Sequence, residues 1–405
     1  MIDGSRVAPA TLGQRLAEAR KEAGRTQQQA AEHLGCSRPI LIAIEKGTRP
    51  ARPDEVVRLA TLYGRSVHEL VRPGEPAVAL EPHLRAAVDT TRTDVAEVNE
   101  AVKVLERFAE DYRELERITH SPMVFNYLPE YPIRSNVKLV AFAEDVAARE
   151  RSRLLLGDQP ILDLRGLLET EVGVRVFFGP MPSSIAGMYA FVVDLGYCIL
   201  INRKHPRQRQ RASLAHEYGH FLCSRHKPGI DYLTGSSHKP AVERFAEVFA
   251  MSFLMPQSGV RKQFHEVVES RRDFQVADLC RLSSCYFVSV HAMALRLEDL
   301  GLIDKGAWNH LVERGFRAVA AKESIGLAAT STGSEEPYPE RYKYLAVQAF
   351  QEEKISEGQL AHFLRCDRVT AREIVEECLS RFEVDSDGNL DLLQLRFRES
   401  LLKQS

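Results

Sequence analysis

The segment His216-Glu-Tyr-Gly-His220 constrains this chain more than any other five residues in it. Its flanks, Ala212-Ser-Leu-Ala and Phe221-Leu-Cys223, are apolar with helical period, and on a helix an i, i+4 spacing turns both imidazoles to one face. Two neutral imidazoles so placed can bind one zinc ion, with Glu217 projecting beside them. A tetrahedral zinc that keeps one position open needs a third protein ligand. Twenty-three residues after His220, Val242-Glu-Arg-Phe-Ala-Glu-Val-Phe-Ala-Met-Ser-Phe-Leu-Met-Pro256 reads as a helix with Glu243 and Glu247 on a shared face. Glu243 is assigned to the metal, and Glu247 to supporting a ligand histidine through its other ring nitrogen. The spacing alone also accommodates the reverse assignment.

A second constellation lies near the N-terminus. Thr26-Gln-Gln-Gln-Ala-Ala-Glu-His-Leu34, Gly35 and Ser37-Arg-Pro-Ile-Leu-Ile-Ala-Ile-Glu-Lys-Gly47 read as a helix, a tight turn and a second helix, with Thr26 and Ser37 as side-chain N-caps. In such a motif the second helix enters the major groove of double-stranded DNA, so Gln27, Ser37 and Arg38 are the expected DNA contacts, with Arg38 the reader of base edges and Gln27 a phosphate contact. From residue 1 to 72 there are twelve Lys and Arg against eight Asp and Glu, a surplus that permits phosphate contact. The whole chain, at 54 basic against 56 acidic residues, is not a uniformly cationic nucleic-acid binder.

Residues 11–71 resemble the XRE (lambda-repressor-like) helix-turn-helix family, on Leu16, Arg20, Gly24, Thr26, Gln27, Ala31, Leu34, Gly35, Ser37, Ile44, Glu45, Gly47 and Pro50. Ile40, Ile42 and Ala43 stand where relatives are often polar or basic. Residues 135–300 resemble the ImmA/IrrE family of zinc metallopeptidases. The match rests on Ile199-Leu-Ile-Asn202, the Arg209 to His220 segment, Glu243-x-x-Ala-x-x-Phe-Ala250 and Leu254-Met-Pro256. Tyr218 stands where Leu is usual and Glu247 where Asn or Asp is common.

The second resemblance implies peptide-bond hydrolysis with Zn2+ as cofactor, His216, His220 and Glu243 as ligands, and Glu217 passing a proton from water to the leaving amine. A protein substrate such as a repressor is implied, which the strand 197–202 would receive along its edge. Tyr232 and His238 are candidates for steadying the oxyanion, against ordinary loop roles. The basic run Arg203 to Arg211 is read as a solvated loop leading into the zinc helix rather than a nucleic-acid patch. Two readings from other classes stay open: a transcription factor whose zinc fold is structural or sensory, and an antitoxin-like regulator.

The expected fold is mainly α with a small β-sheet, an α+β chain. A length of 405 residues suits several domains, divided as a DNA-binding region (1–71), a Pro-rich linker (72–91), a long amphipathic helix and connector (92–134), the metallopeptidase domain (135–260), a helix-turn-helix-like region (261–327), a linker (328–337) and a helical C-terminal region (338–405). Three strands are expected at 174–178, 189–193 and 197–201, then helix from 207 to 316. The period of helix 92–118 suits either a homodimer seam or packing within the chain. No apolar run reaches the ~18–20 residues of a membrane span and no signal segment is seen, so a cytoplasmic protein without a membrane partner is expected. The seven cysteines form no C-x-x-C pair and are expected to be small buried hydrophobes.

Overall fold

The computed structural model describes residues 8–64, 67–71, 95–123, 125, 127–134, 138–192, 195–232, 240–327, 336–384 and 390–394. The linker at 72–91, most of that at 328–337, and His238 lie outside the described residues. The chain divides into two compact units, Met1–Val78 and Ala79–Ser405.

The first unit is a cluster of helices: Pro9–Glu22, Gln27–Leu34, Arg38–Glu45, Pro53–Tyr63 and Val67–Val71. Its core gathers Leu16, Ala30, Ala31, Leu34, Leu41, Ile44, Val56, Leu59 and Leu70, the inward positions of each amphipathic pattern. Thr26 caps the second helix with a reciprocal box: its Oγ1 accepts the Gln29 N–H at 3.2 Å, and its own N–H donates to Gln29 Oε1 at 2.9 Å. Gly35 supplies the left-handed turn at φ 69°. Ser37 stands at the N-cap of the third helix, yet its hydroxyl makes no capping bond. Pro39 removes the N–H at the second helical position, and the Ile40 N–H already bonds the Ser37 carbonyl at 2.9 Å, so the hydroxyl has no orphan donor to take.

In the second unit a four-stranded sheet runs in the order β1 (Arg175–Gly179), β3 (Gly196–Asn202), β2 (Ile185–Val192), β4 (Gly229–Tyr232). β1 and β3 are parallel and the other pairs antiparallel. β4 interrupts the stretch expected to be all helix; its four residues carry too little alternation to be read alone, and pairing with β2 holds them. β3 is buried throughout and flanked on both sides, so the strand expected to present an edge has none to offer.

Alternation along β3 sorts the two faces. Tyr197, Ile199 and Ile201 meet helices Leu139–Arg153, Arg207–Ser224 and Ala241–Leu254 through Tyr218, Phe221, Phe245 and Phe249. Cys198 and Leu200 face the long helix Val95–Ile118, whose stripe of Val98, Val102, Leu105, Ala109 and Tyr112 is buried together with Tyr342 of helix Glu340–Gln351. The period read as a possible dimer seam is thus occupied within the chain. Arg175, almost wholly buried, donates to both carboxylate oxygens of Glu116 at 3.1 and 2.8 Å, and Arg341 reaches the same carboxylate at 2.8 Å, tying long helix, sheet and C-terminal helix together.

Helices Val276–Cys285 and Val290–Asp299 flank a short turn, and Ser289 caps the second by accepting the Ala292 N–H at 3.0 Å. Toward the C-terminus come helices Glu340–Gln351, Glu357–Phe363 and Arg368–Leu379, then a hairpin, Ser380–Val384 with Leu390–Gln394, that no periodicity announced. The pair around Arg365 repeats the geometry of the first unit's motif position for position. Ser356 and Gln359 form the same capping box, Arg365 holds the left-handed turn at φ 54°, and the Cys366 N–H bonds the Ala361 carbonyl at 3.1 Å where that of Cys36 bonds Ala31 at 3.0 Å. Of the cysteines, Cys198, Cys223 and Cys280 are buried, but Cys285 is exposed.

Candidate metal centre

The helix Arg207–Ser224 begins against a loop that it binds itself: Gln210 Nε2 donates to the carbonyls of Arg203 and His205 at 3.0 and 2.7 Å. Arg211, from the basic run, donates to the carbonyls of Ile161 and Leu162 and lies over the Phe287 ring. That arginine anchors the helix, while Arg203, Lys204 and Arg209 are exposed.

One turn apart on this helix, the Nε2 atoms of His216 and His220 lie 3.1 Å from each other. The Glu243 carboxylate faces both, with Oε2 at 3.3 Å from His216 and Oε1 at 3.4 Å from His220. What lets the acid helix come so close is Gly219: a Cβ there would sit 2.9 Å from the Cα of Ala246, so only glycine permits this backbone approach.

Burial would raise the Glu243 carboxyl, but the two imidazoles outweigh it and hold the group far below its usual range. Burial also favours the neutral form of His220. In His216 the same desolvation is overcome by Glu243, so its pKa rises. Glu243 keeps 39% of its side chain exposed, so the cluster opens to solvent on that side. Two imidazole nitrogens and a carboxylate with an open approach are the donor set of a zinc site that retains a free position.

Glu217 is fully buried, and neither carboxylate oxygen has a hydrogen-bond partner among the described residues. It packs on Gly187 of β2, where a Cβ would lie 2.7 Å from Oε1. Burial pushes its pKa well above the carboxylate range, and the charges of Asp231 and Glu243 add to this. A buried acid without a partner is costly unless something else occupies the space before it.

Three neighbours escaped the sequence reading. Tyr189 of β2 stacks on the His220 ring, centroids 4.9 Å apart and 19° between planes. Ser224 places Oγ 3.5 Å from His220 Nδ1; its i+4 spacing from His220 was a legible signal. Asp231 of β4 pairs in register with Gly187 and acts by charge on Glu217, His216 and His220, a placement that only strand pairing reveals. Glu247 acts on His216 through its charge, whereas the group beside Nδ1 of His220 is Ser224. Tyr232 pairs with Ile185 through its backbone at the end of β4.

In the first unit, Arg38 is exposed and its Nη2 donates to Gln27 Oε1 at 3.3 Å. Gln27 in turn donates to Glu45 at 3.0 Å, and Arg20 holds Glu45 with Nε at 2.6 Å and Nη2 at 3.1 Å. The two residues expected to meet DNA are therefore adjacent and braced from behind by a partly buried ion pair.

Residues 169–298 match the IrrE N-terminal-like domain of the peptidase M78 family, and residues 11–72 match a helix-turn-helix domain. The chain joins a helix-turn-helix unit to an ImmA/IrrE-type domain. No curated protein matches it. Among solved structures, ComR from Streptococcus suis is similar at 12% identity over 91% of this chain and 87% of that one, with a TM-score of 0.16. PlcR from Bacillus thuringiensis, in complex with the peptide PapR7 and DNA, is similar at 10% identity over 90% and 91%, also with a TM-score of 0.16. Among the described residues no helix is long and apolar enough to cross a membrane.

Proposed function

We propose that this helix-turn-helix and ImmA/IrrE-type chain is a cytoplasmic DNA-binding transcription regulator whose second unit is a zinc-dependent endopeptidase acting on a protein substrate such as a repressor. The observation that carries the reading is Glu217: a fully buried carboxylate whose oxygens find no partner among the described residues, beside two histidines and an acid in ligand geometry. His216, His220 and Glu243 would hold the metal. Zinc bound there supplies Lewis acidity, lowering the pKa of a water and polarising a carbonyl.

The chain's own residues do the rest. Glu217, whose ionised form a dication held by the three ligands would favour, takes a proton from water as the new C–O bond forms, then delivers it to the amine nitrogen as the C–N bond breaks. Ser224 and the Tyr189 ring fix the plane of His220. The Phe178 N–H on β1 is already bonded to the Pro337 carbonyl, so β4, which carries Asp231, is the edge an extended substrate would pair with. In the first unit, Arg38 reads base edges and Gln27 meets phosphate, with two chains on paired half-sites.

Glu217→Gln tests the reading. The substitution is nearly isosteric and removes the proton carrier but no metal ligand, so zinc content and fold should persist while cleavage falls by ~10²–10⁴-fold. Undiminished regulation by the variant, with no cleavage product in either strain, would decide for a zinc fold that senses without turnover.

A further inference from the structure

A cleft of about 340 Å3 opens between helix Leu139–Arg153, the end of the acid helix Ala241–Leu254, the start of helix Gln257–Arg271, and helix Val290–Asp299. It shares no residue with the metal centre. Its volume suits a small molecule. Arg151, Ser252, Pro256 and Arg296 form a buried floor, while Asp158, Gln257 and Ser258 belong to an exposed rim.

Donors dominate the floor. Arg151 is almost wholly buried, and its three bonds go to the carbonyls of Gly157, Phe253 and Gln159, so no carboxylate neutralises it directly. Arg296, equally buried, spends Nε on the Met255 carbonyl at 3.1 Å and Nη1 on Glu144 at 2.8 Å. Ser252 is 3% exposed, and its Oγ has no partner among the described residues. The 15-residue helix that begins at Gln257 receives no side-chain cap, so its first-turn amides and the positive end of its dipole stand at the cleft. Glu144 and Asp158 supply the opposing charge from positions already committed, to Arg296 and to the Ser258 hydroxyl.

We propose that this cleft binds the oxyanion head of a small, singly charged metabolite, with the head on the floor against the Ser252 hydroxyl and the amides of Gln257 and Ser258. Two arginines balanced by two acids accommodate one negative charge brought by the ligand better than two. The floor is also where the helix that carries Glu243 ends: Ser252 lies on it, and Arg151 and Arg296 hold the carbonyls of Phe253 and Met255.

The full-length protein is titrated with acetate, sulfate and choline at fixed ionic strength, and the backbone amide resonances of residues 257–259 are followed. Acetate should give saturable shifts, sulfate weaker ones and choline none. Ser252→Ala removes a hydroxyl that has no partner among the described residues, so the fold should be at least as stable as before while acetate binds about tenfold more weakly. Gln257→Trp, at the exposed rim, should block the cleft without touching the floor. Absence of saturation with acetate, tighter binding of sulfate or choline, or wild-type affinity in both variants would each overturn the proposal.

Discussion

Gly219→Ala adds one methyl group at the closest approach of the two helices that carry the candidate ligands. The new Cβ would stand 2.9 Å from Ala246 Cα, 3.1 Å from Ala246 Cβ and 3.3 Å from Phe249 Cδ1. Comfortable carbon contacts lie at ~3.5–4.0 Å, so the acid helix must retreat by ~0.6–1 Å. Ala246 is one turn from Glu243, so the retreat carries that carboxylate away from the histidines it now faces at 3.3 and 3.4 Å. Zinc sites tolerate only ~0.2 Å in ligand distance. The expected outcome is a loss of zinc affinity of at least ~10-fold in competition with a chelator, together with ~1–3 kcal/mol of destabilisation from overpacking. Unchanged zinc affinity and unchanged melting in the alanine variant would refute the claim that this glycine sets the ligand geometry.

Glu169 offers a pH test away from the metal. Burial, against the pull of Arg165 and the Val176 N–H, pushes its carboxyl up to about 8, whereas an unfolded glutamate titrates near ~4.3. The folded chain therefore keeps a proton that the unfolded chain releases, and the stability from this group, complete below ~4.3, is lost as pH rises toward ~8. Glu169→Gln should gain on wild type by up to ~3–5 kcal/mol between pH 5 and 8.5 in denaturant melts; a pH-independent difference would count against it. Arg38→Ala should weaken operator binding by ~1–3 kcal/mol more than binding to random duplex, and equal losses would reduce Arg38 to a phosphate contact. Light scattering on the operator complex should give two chains per duplex, since helix-turn-helix modules read paired half-sites; one chain would reject the dimer.

Legibility followed the range of the interaction that fixes each feature. The spacing of His216 and His220 is local, and the helix obeys it. Glu243 was also readable, because its helix has a strong apolar face of Phe245, Phe249 and Phe253. Asp231 and Tyr189 were not, since both reach the centre through strand register: β4 pairs four residues with β2, and no alternation marks them. The expectation that strand 197–202 was an edge failed for the same reason. Its apolar run is what a central strand requires, and an all-buried strand with neighbours on both sides is the outcome.

The repeated motif at 356–379 shows where geometry and chemistry part. Its signal in the sequence is Gln29, Ala31, Leu34, Cys36 and Arg38 against Gln359, Ala361, Leu364, Cys366 and Arg368, each pair at one offset. Gln29 and Gln359 close the capping boxes, Ala31, Leu34, Ala361 and Leu364 are buried, Cys36 and Cys366 follow the turns, and the exposed Arg38 and Arg368 each begin the second helix. The turn itself is held differently: Gly35 needs no help at positive φ, whereas Arg365 adopts it while pairing with the buried Asp111 of the long helix. The outward positions diverge. Glu357 stands where Gln27 does and pairs with Arg372 at 3.0 Å, and exposed Glu373 and Glu376 take the places of Ala43 and Lys46. Phosphate repels such a face, since DNA affinity rests on cations that displace counterions. The second copy therefore keeps the packing that makes a helix-turn-helix fold, docked by Asp111 and Arg365 into the core of its own unit; it retains Arg368 at the place of Arg38, but has the acids Glu357, Glu373 and Glu376 where the first copy has Gln27, Ala43 and Lys46.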